Sequence, residues 1–239
     1  EVTAEVDGVL QTTVYTYDLN GNMISQMDGK NNKTIYEYNA ANKLDKRYVQ
    51  GQTDSEKYIY NADGSLYKKE DKKGIVTTYI YYANGNVASQ TVGTAGKEGY
   101  LKIDYIYDGN GNQIEATQTA INNGTETTTI TKREYDELNR VKLKSEYDSL
   151  TPVAKRTVNK FKYDITPKAA DLPGITASLE GTSGEKSIVT KNGTEMTATL
   201  KVYDNAGRLK YVVADGQTTT YNYYDNGSRK SVLYPGGMK

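Results

Sequence analysis

Apolar and polar side chains alternate in short runs along this chain, and one pattern recurs from end to end: Tyr15-Thr16-Tyr17-Asp18-Leu19-Asn20-Gly21-Asn22-Met23. A period of two predicts a β-strand, with both tyrosine rings on one face. The Asp-x-x-Gly that follows has the chemistry of a type I turn, Asp at its first position and Gly at its fourth. With Gly21 at positive φ, the loop closes on a bulge and brings Tyr17 opposite Met23, six residues on.

Further anchor tyrosines follow the same rule. Tyr38 is set to face Leu44, Tyr60 to face Leu66 across Gly64, and Tyr81 to face Val87 across Gly85. Tyr107-Asp108 leads through Gly111 to Gln113, and Tyr135-Asp136 leads to Val141. Tyr203-Asp204 leads through Gly207 to Leu209, and a worn copy, Tyr223, leads through Gly227 to Arg229. Asn42 and Asn139 stand where others have glycine, and asparagine tolerates the left-handed region. The anchors recur about every twenty residues, the signature of a repeat array whose units bury their faces against neighbours.

Between the hairpins, second turns are expected at Asp28-Gly29-Lys30, Gln50-Gly51-Gln52, Lys73-Gly74, Gly93 to Gly99, Asn122-Asn123-Gly124 and Asp215-Gly216. Thr-rich and β-branched runs follow them. The fold class is thus all-β: one antiparallel hairpin array over 1–239, about eight clear repeats plus a degenerate one at Phe161 to Asp164, and roughly sixteen strands at two per repeat. Prolines 152, 167 and 173 cluster there. The segment 164–186 is therefore read as a loop leaving the sheet, since proline cannot donate to a central ladder. Asp148 to Pro152 reads as a longer turn, and no stretch has helical periodicity. An unclosed meander exposes edges, expected near Val9 to Tyr17 and Thr218 to Tyr224, through which the chain would self-associate.

Apolar content is only 36%, and it includes 23 tyrosines. This favours a thin, curved sheet lined by rings that bury area while their hydroxyls can stay in water. Thirty basic and thirty acidic residues balance without a basic stripe, so nothing announces nucleic acid or an anionic membrane. No apolar run is long enough for a membrane span, and Glu1-Val2-Thr3-Ala4 is not a signal peptide. Cysteine and histidine are absent, which removes disulfides, thiolate chemistry, the commonest general base and the commonest transition-metal ligand. The expectation is a chain without catalytic residues, metal or cofactor. Asp18-x-Asn20-Gly21-Asn22 and Asp108-x-Asn110-Gly111-Asn112 look like the opening of a calcium loop. Gly29 and Thr119 occupy the position that would need a bidentate Glu, which leaves ordinary turns as the better reading. Stacking of exposed tyrosines on sugar rings is the alternative to their mutual packing.

The runs Tyr17-Asp18-x-x-Gly21-Asn22-Met23, Tyr135-Asp136-x-x-Asn139-Arg140-Val141 and Tyr203-Asp204-x-x-Gly207-Arg208-Leu209 resemble the YD repeat of RHS proteins. That family includes bacterial RHS elements, wall-associated proteins, B and C components of insecticidal toxin complexes, and animal teneurins. The resemblance implies a β-sheet spiralling into a hollow shell, part of a secreted or cell-surface protein, with flanking repeats as partners. In toxin-like members the shell encloses a C-terminal effector. Asp-Pro, part of the self-cleavage motif in those members, occurs nowhere here, and only Tyr234 to Lys239 follow the repeats. The expected function is a structural segment of such a shell, cut from a longer polypeptide. The alternative is a carbohydrate or cell-surface binding module using exposed tyrosines.

Overall fold

A computed structural model of the chain describes residues 2–6, 9–152, 156–191 and 193–236. Glu1 and Gly237 to Lys239, at the two ends of the sequence, lie outside the described residues. The protein is all-β, with nineteen antiparallel strands in one sheet among the described residues. In chain order these are β1 (Val2–Val6), β2 (Val9–Tyr17), β3 (Met23–Met27), β4 (Lys33–Tyr38), β5 (Leu44–Val49), β6 (Ser55–Tyr60), β7 (Leu66–Glu70), β8 (Val76–Tyr81), β9 (Val87–Val92) and β10 (Leu101–Tyr107). There follow β11 (Gln113–Asn122), β12 (Thr125–Tyr135), β13 (Val141–Asp148), β14 (Thr157–Ile165), β15 (Ser183–Lys191), β16 (Thr194–Tyr203), β17 (Leu209–Ala214), β18 (Gln217–Tyr223) and β19 (Arg229–Leu233).

Strands pair with their neighbours in sequence, and the hairpin register is uniform. Tyr17 lies opposite Met23, Tyr38 opposite Leu44, Tyr60 opposite Leu66 and Tyr81 opposite Val87. Tyr135 lies opposite Val141, Tyr203 opposite Leu209 and Tyr223 opposite Arg229. In each hairpin the register slips by one residue beside that pair, the bulge that a three-residue loop with a left-handed fourth residue imposes.

Three details depart from the sequence-based picture. The strand count exceeds sixteen because β1 precedes the first copy and because the degenerate repeat still supplies β14 and β15. Neither expected edge is an edge. Thr13 of β2 pairs with Val2 of β1 and Val14 with Met27 of β3, while in β18 Thr219 pairs with Val212 and Thr220 with Leu233. Val2 to Val6 has strand composition of its own, and Arg229 begins the return arm of the last hairpin. Within this sheet the residues group into two compact units, one of Glu1–Tyr105 with Gln118–Thr127, the other of Ile106–Thr117 with Thr128–Lys239.

The last departure concerns the proline-rich segment, whose irregular part is 166–182. It does not leave the sheet. After a single 3₁₀ turn, Ala169–Asp171, it lays Leu172 on the second unit's sheet face. Leu172 is 1% exposed and packs with Leu200, Val202, Tyr211 and Val213, while Ile165, Ile175 and Leu179 close around them. The Thr218 hydroxyl donates to the Pro173 carbonyl at 2.8 Å. Proline keeps this strap out of the ladder, but its leucines and isoleucine still gain by leaving water. Because Val202 precedes anchor Tyr203, the strap covers the face opposite the anchor tyrosines.

Candidate functional site: the joint between successive hairpins

Each repeat begins its joint with the turn. In the first, Gly21 N–H donates to the Asp18 carbonyl at 3.2 Å and Asp18 N–H to the Asn22 carbonyl at 2.9 Å, with Gly21 at φ 83°. The Asp18 carboxylate folds over its own turn: Oδ1 accepts from the Asn20 and Asn22 N–H groups, and Oδ2 from the Asn22 side-chain amide. Asp108 repeats this with Asn110 and Asn112. Asp136 and Asp204 replace the amide by the Nε of Arg140 and Arg208, both at 2.8 Å. The bonding holds these carboxyls below their ordinary range: chiefly the Asn22 and Asn112 amides for Asp18 and Asp108, chiefly the Arg140 backbone N–H for Asp136. Their stabilising effect is present above the ordinary carboxyl pKa and is lost as pH falls through the lowered one.

The same turn caps the other end of two strands. It runs from Asp28 to Asn31, at φ 64°, and from Asp71 to Gly74, at φ 78°. Sequence reading centred the first on Gly29; the signal was Asp followed three residues later by Asn or Gly.

The second part of the joint is a latch that the sequence reading missed. Tyr38 OH donates to the Met23 carbonyl at 3.0 Å, Tyr60 OH to Leu44 at 2.8 Å and Tyr81 OH to Leu66 at 2.8 Å. Tyr135, Tyr163 and Tyr223 reach the carbonyls of Gln113, Val141 and Leu209, each at 2.8 Å. The acceptor is always the residue six after the preceding anchor, so every latch ties one hairpin to the one before. The hydroxyls expected in water are therefore bonded, and burial pushes Tyr38, Tyr60, Tyr81 and Tyr163 up from the ordinary phenol range. Tyr203 is an exception. The hairpin before it is opened by the strap, and its hydroxyl meets Glu185 at 3.1 Å. Tyr60→Phe removes one donor and is expected to lower stability by about 0.5–1.5 kcal/mol. An unchanged urea midpoint for that variant would mean the hydroxyl does not link the hairpins.

A third part stacks a cation on the next anchor. Lys43 lies 5.3 Å from the Tyr60 ring, Arg140 4.5 Å from Tyr163 and Arg208 4.9 Å from Tyr223, each cation five residues after its own anchor. Lys43 Nζ also donates to the Gly64 carbonyl at 2.6 Å, and Arg140 bridges to Asp164. Asn42 and Asn139 do two things. Each takes the left-handed position, at φ 55° and 59°, and each offers its Oδ1 to two asparagine amides of the preceding turn, Asn20 and Asn22 or Asn110 and Asn112. Other anchors have glycine at the left-handed position, with Gly64, Gly85, Gly111, Gly207 and Gly227 all at positive φ. After Tyr81, Tyr82 stands in the Asp position and donates to the Tyr105 carbonyl at 2.8 Å.

The first unit also holds a polar cluster invisible in the sequence, because cross-strand pairing assembles it. The Glu56 carboxylate, 9% exposed, lies 2.7 Å from Arg47, 2.6 Å from the Tyr58 hydroxyl and 3.9 Å from Lys69. Burial and the bond to Glu56 push Tyr58 up to about 12. A raised phenol contributes stability that is complete below the ordinary value of 10.0 and disappears as pH rises through about 12. Stability should therefore fall between those values, and Tyr58→Phe should flatten the fall; equal slopes for both proteins would contradict the assignment. Exposed tyrosines exist as well: Tyr67 and Tyr82, 46% and 44% exposed, border a shallow concavity with Ile80, Asn61 and Asp63.

No family model matches the chain, and no curated protein matches it. Among solved structures, a crystal structure of TcdB2-TccC3-TEV is similar at a TM-score of 0.59 and 16% identity, covering 92% of this chain and 13% of that one. A Photorhabdus luminescens Tc holotoxin pore is similar at a TM-score of 0.44 and 14% identity, covering 94% of this chain and 13% of that one. The first likeness establishes an RHS-like fold. The chain spans only about an eighth of the length of that neighbour.

Proposed function

We propose that this chain is a non-enzymatic structural segment of an RHS-type wall, one that encloses or presents another part of a longer, secreted or surface-exposed polypeptide. One observation carries the reading: the side chains that define the repeat are committed to joining hairpins. Anchor hydroxyls bond the preceding hairpin, turn aspartates bond their own turns, and the Lys or Arg between them stacks on the next ring. Such a joint makes an extendable sheet. The RHS-like fold supports the same reading. Among the described residues, no helix is long and apolar enough to cross a membrane.

The exposed pair Tyr67 and Tyr82 favours a second reading, a glycan platform. A glycan array together with a panel of hydrolase substrates separates the two. The wall reading expects neither saturable binding nor turnover. Saturable binding that is lost in Tyr67→Ala and Tyr82→Ala would replace it with the glycan reading. Cryo-electron microscopy of the longer polypeptide tests enclosure, which requires density for a further segment against one face of the sheet.

A further inference from the structure

The residue just before each anchor tyrosine points to the face opposite the anchors. In the second unit this position is Val202, 0% exposed under the strap that inserts Leu172. In the first unit the same position holds Thr16, Glu37, Ile59 and Ile80, and the two isoleucines are 50% and 62% exposed. Cross-strand register assembles their surroundings, since directly paired residues share a face. Ile59 pairs with Lys68, Lys68 with Thr78, and Lys57 with Lys46, so that Ile59 sits in a shallow hollow with Lys46, Lys57 and Lys68, bordered also by Asp45 and by Glu70, which pairs with Lys57 at 2.9 Å. Ile80 stands two strands further along.

The covered face of the second unit has a comparable make-up. Lys186 pairs with Leu200 and with Lys162, so lysines border the apolar patch there too. The segment that covers it places an acid next to each outer leucine, as Asp171-Leu172 and Leu179-Glu180. Its backbone is held without joining the ladder, through a threonine hydroxyl to the Pro173 carbonyl. The open face of the first unit offers the hydroxyls of Thr78 and its partner Thr91.

We propose that the Ile59–Ile80 face of the first unit docks an extended polypeptide segment of the strap's chemistry: leucine or isoleucine side chains a few residues apart, flanked by acids, lying across the strands. This goes beyond the wall reading, which holds or fails regardless of what this face binds. A fluorescein-labelled peptide of the 166–182 sequence, titrated into the full chain, tests it by anisotropy. The chain's own strap occupies the second unit, so the first unit is the open site.

Saturable binding is expected. It should be weakened at least about tenfold by Ile59→Asp or Ile80→Asp, and equally by Leu172→Ala in the peptide alone. Both isoleucines are exposed, so these variants should fold, which circular dichroism verifies; Leu138→Asp, at an exposed turn of the second unit, should bind like the parent. Absence of saturable binding, or binding indifferent to Ile59→Asp and Ile80→Asp, overturns the proposal. So does a concentration-dependent dimer that Ile80→Asp dissolves while the peptide does not bind, because the occupant would then be a second copy of the chain.

Discussion

Leu172→Ala should lower the stability of the second unit by about 2–5 kcal/mol, the range for truncating a fully buried leucine. The strap that carries Leu172 has few ordered backbone bonds to the sheet, and its one turn of 3₁₀ helix is too short to hold itself. Burial of Leu172, Ile175 and Leu179 against Leu200, Val202, Tyr211 and Val213 is what keeps it down. The substitution therefore opens a cavity at the centre of the cluster and weakens the strap's hold on it. Urea unfolding followed by circular dichroism checks this, with hydrogen exchange at β16 and β17 to place the loss. A change below about 1 kcal/mol, the scale of an ordinary surface substitution, would mean that the segment only rests on the surface.

Gly111→Val is expected to cost about 1–2 kcal/mol or more, while Gly109→Ala in the same turn is nearly silent. Gly111 sits at φ 84° and closes the turn by donating to the Asp108 carbonyl at 3.1 Å. A β-branched residue at that φ is strained, and there is no alternative conformation that keeps both the turn bond and the bulge. Gly109 has no positive φ, and a methyl group built there meets nothing within 4 Å. Thermal melts of the two variants are enough. If both fall equally, turn geometry is not what glycine supplies at position 111.

Much of the fold could be read from the sequence because its determinants are local. The Tyr-x-Tyr alternation, the Asp-x-x-Gly turn and the six-residue pairing each lie within one hairpin, and so Tyr60 and Leu66 could be paired without coordinates. The joint was less legible, because it depends on which strand lies beside which. Tyr60 and its acceptor Leu44 are sixteen residues apart, and nothing in the string says that a hydroxyl will find a carbonyl there. The role of the residue five after the anchor was hidden for the same reason: Arg140 and Arg208 look like solvated turn residues until the next tyrosine is placed beneath them. The strap was misjudged because proline was read for what it forbids, a ladder, and Leu172, Ile175 and Leu179 were not weighed for the face they could cover. Composition could suggest that a tyrosine hydroxyl can stay wet while its ring is buried, but not that the hydroxyls of Tyr38, Tyr60, Tyr81, Tyr135, Tyr163 and Tyr223 each bond the preceding hairpin.

The central claim is that the repeat's signature side chains fasten each hairpin to the next, and a double-mutant cycle between Arg208 and Tyr223 addresses it most directly. These residues belong to successive hairpins; the guanidinium lies 4.9 Å from the ring centre, and the Tyr223 hydroxyl reaches the Leu209 carbonyl beside it. Unfolding free energies of Arg208→Ala, Tyr223→Ala and the double variant should be non-additive by about 0.5–1 kcal/mol, the scale of an exposed cation–π contact. Additivity within about 0.3 kcal/mol would mean that the two hairpins do not communicate through these side chains, and the joint would have to be sought in the backbone ladder alone.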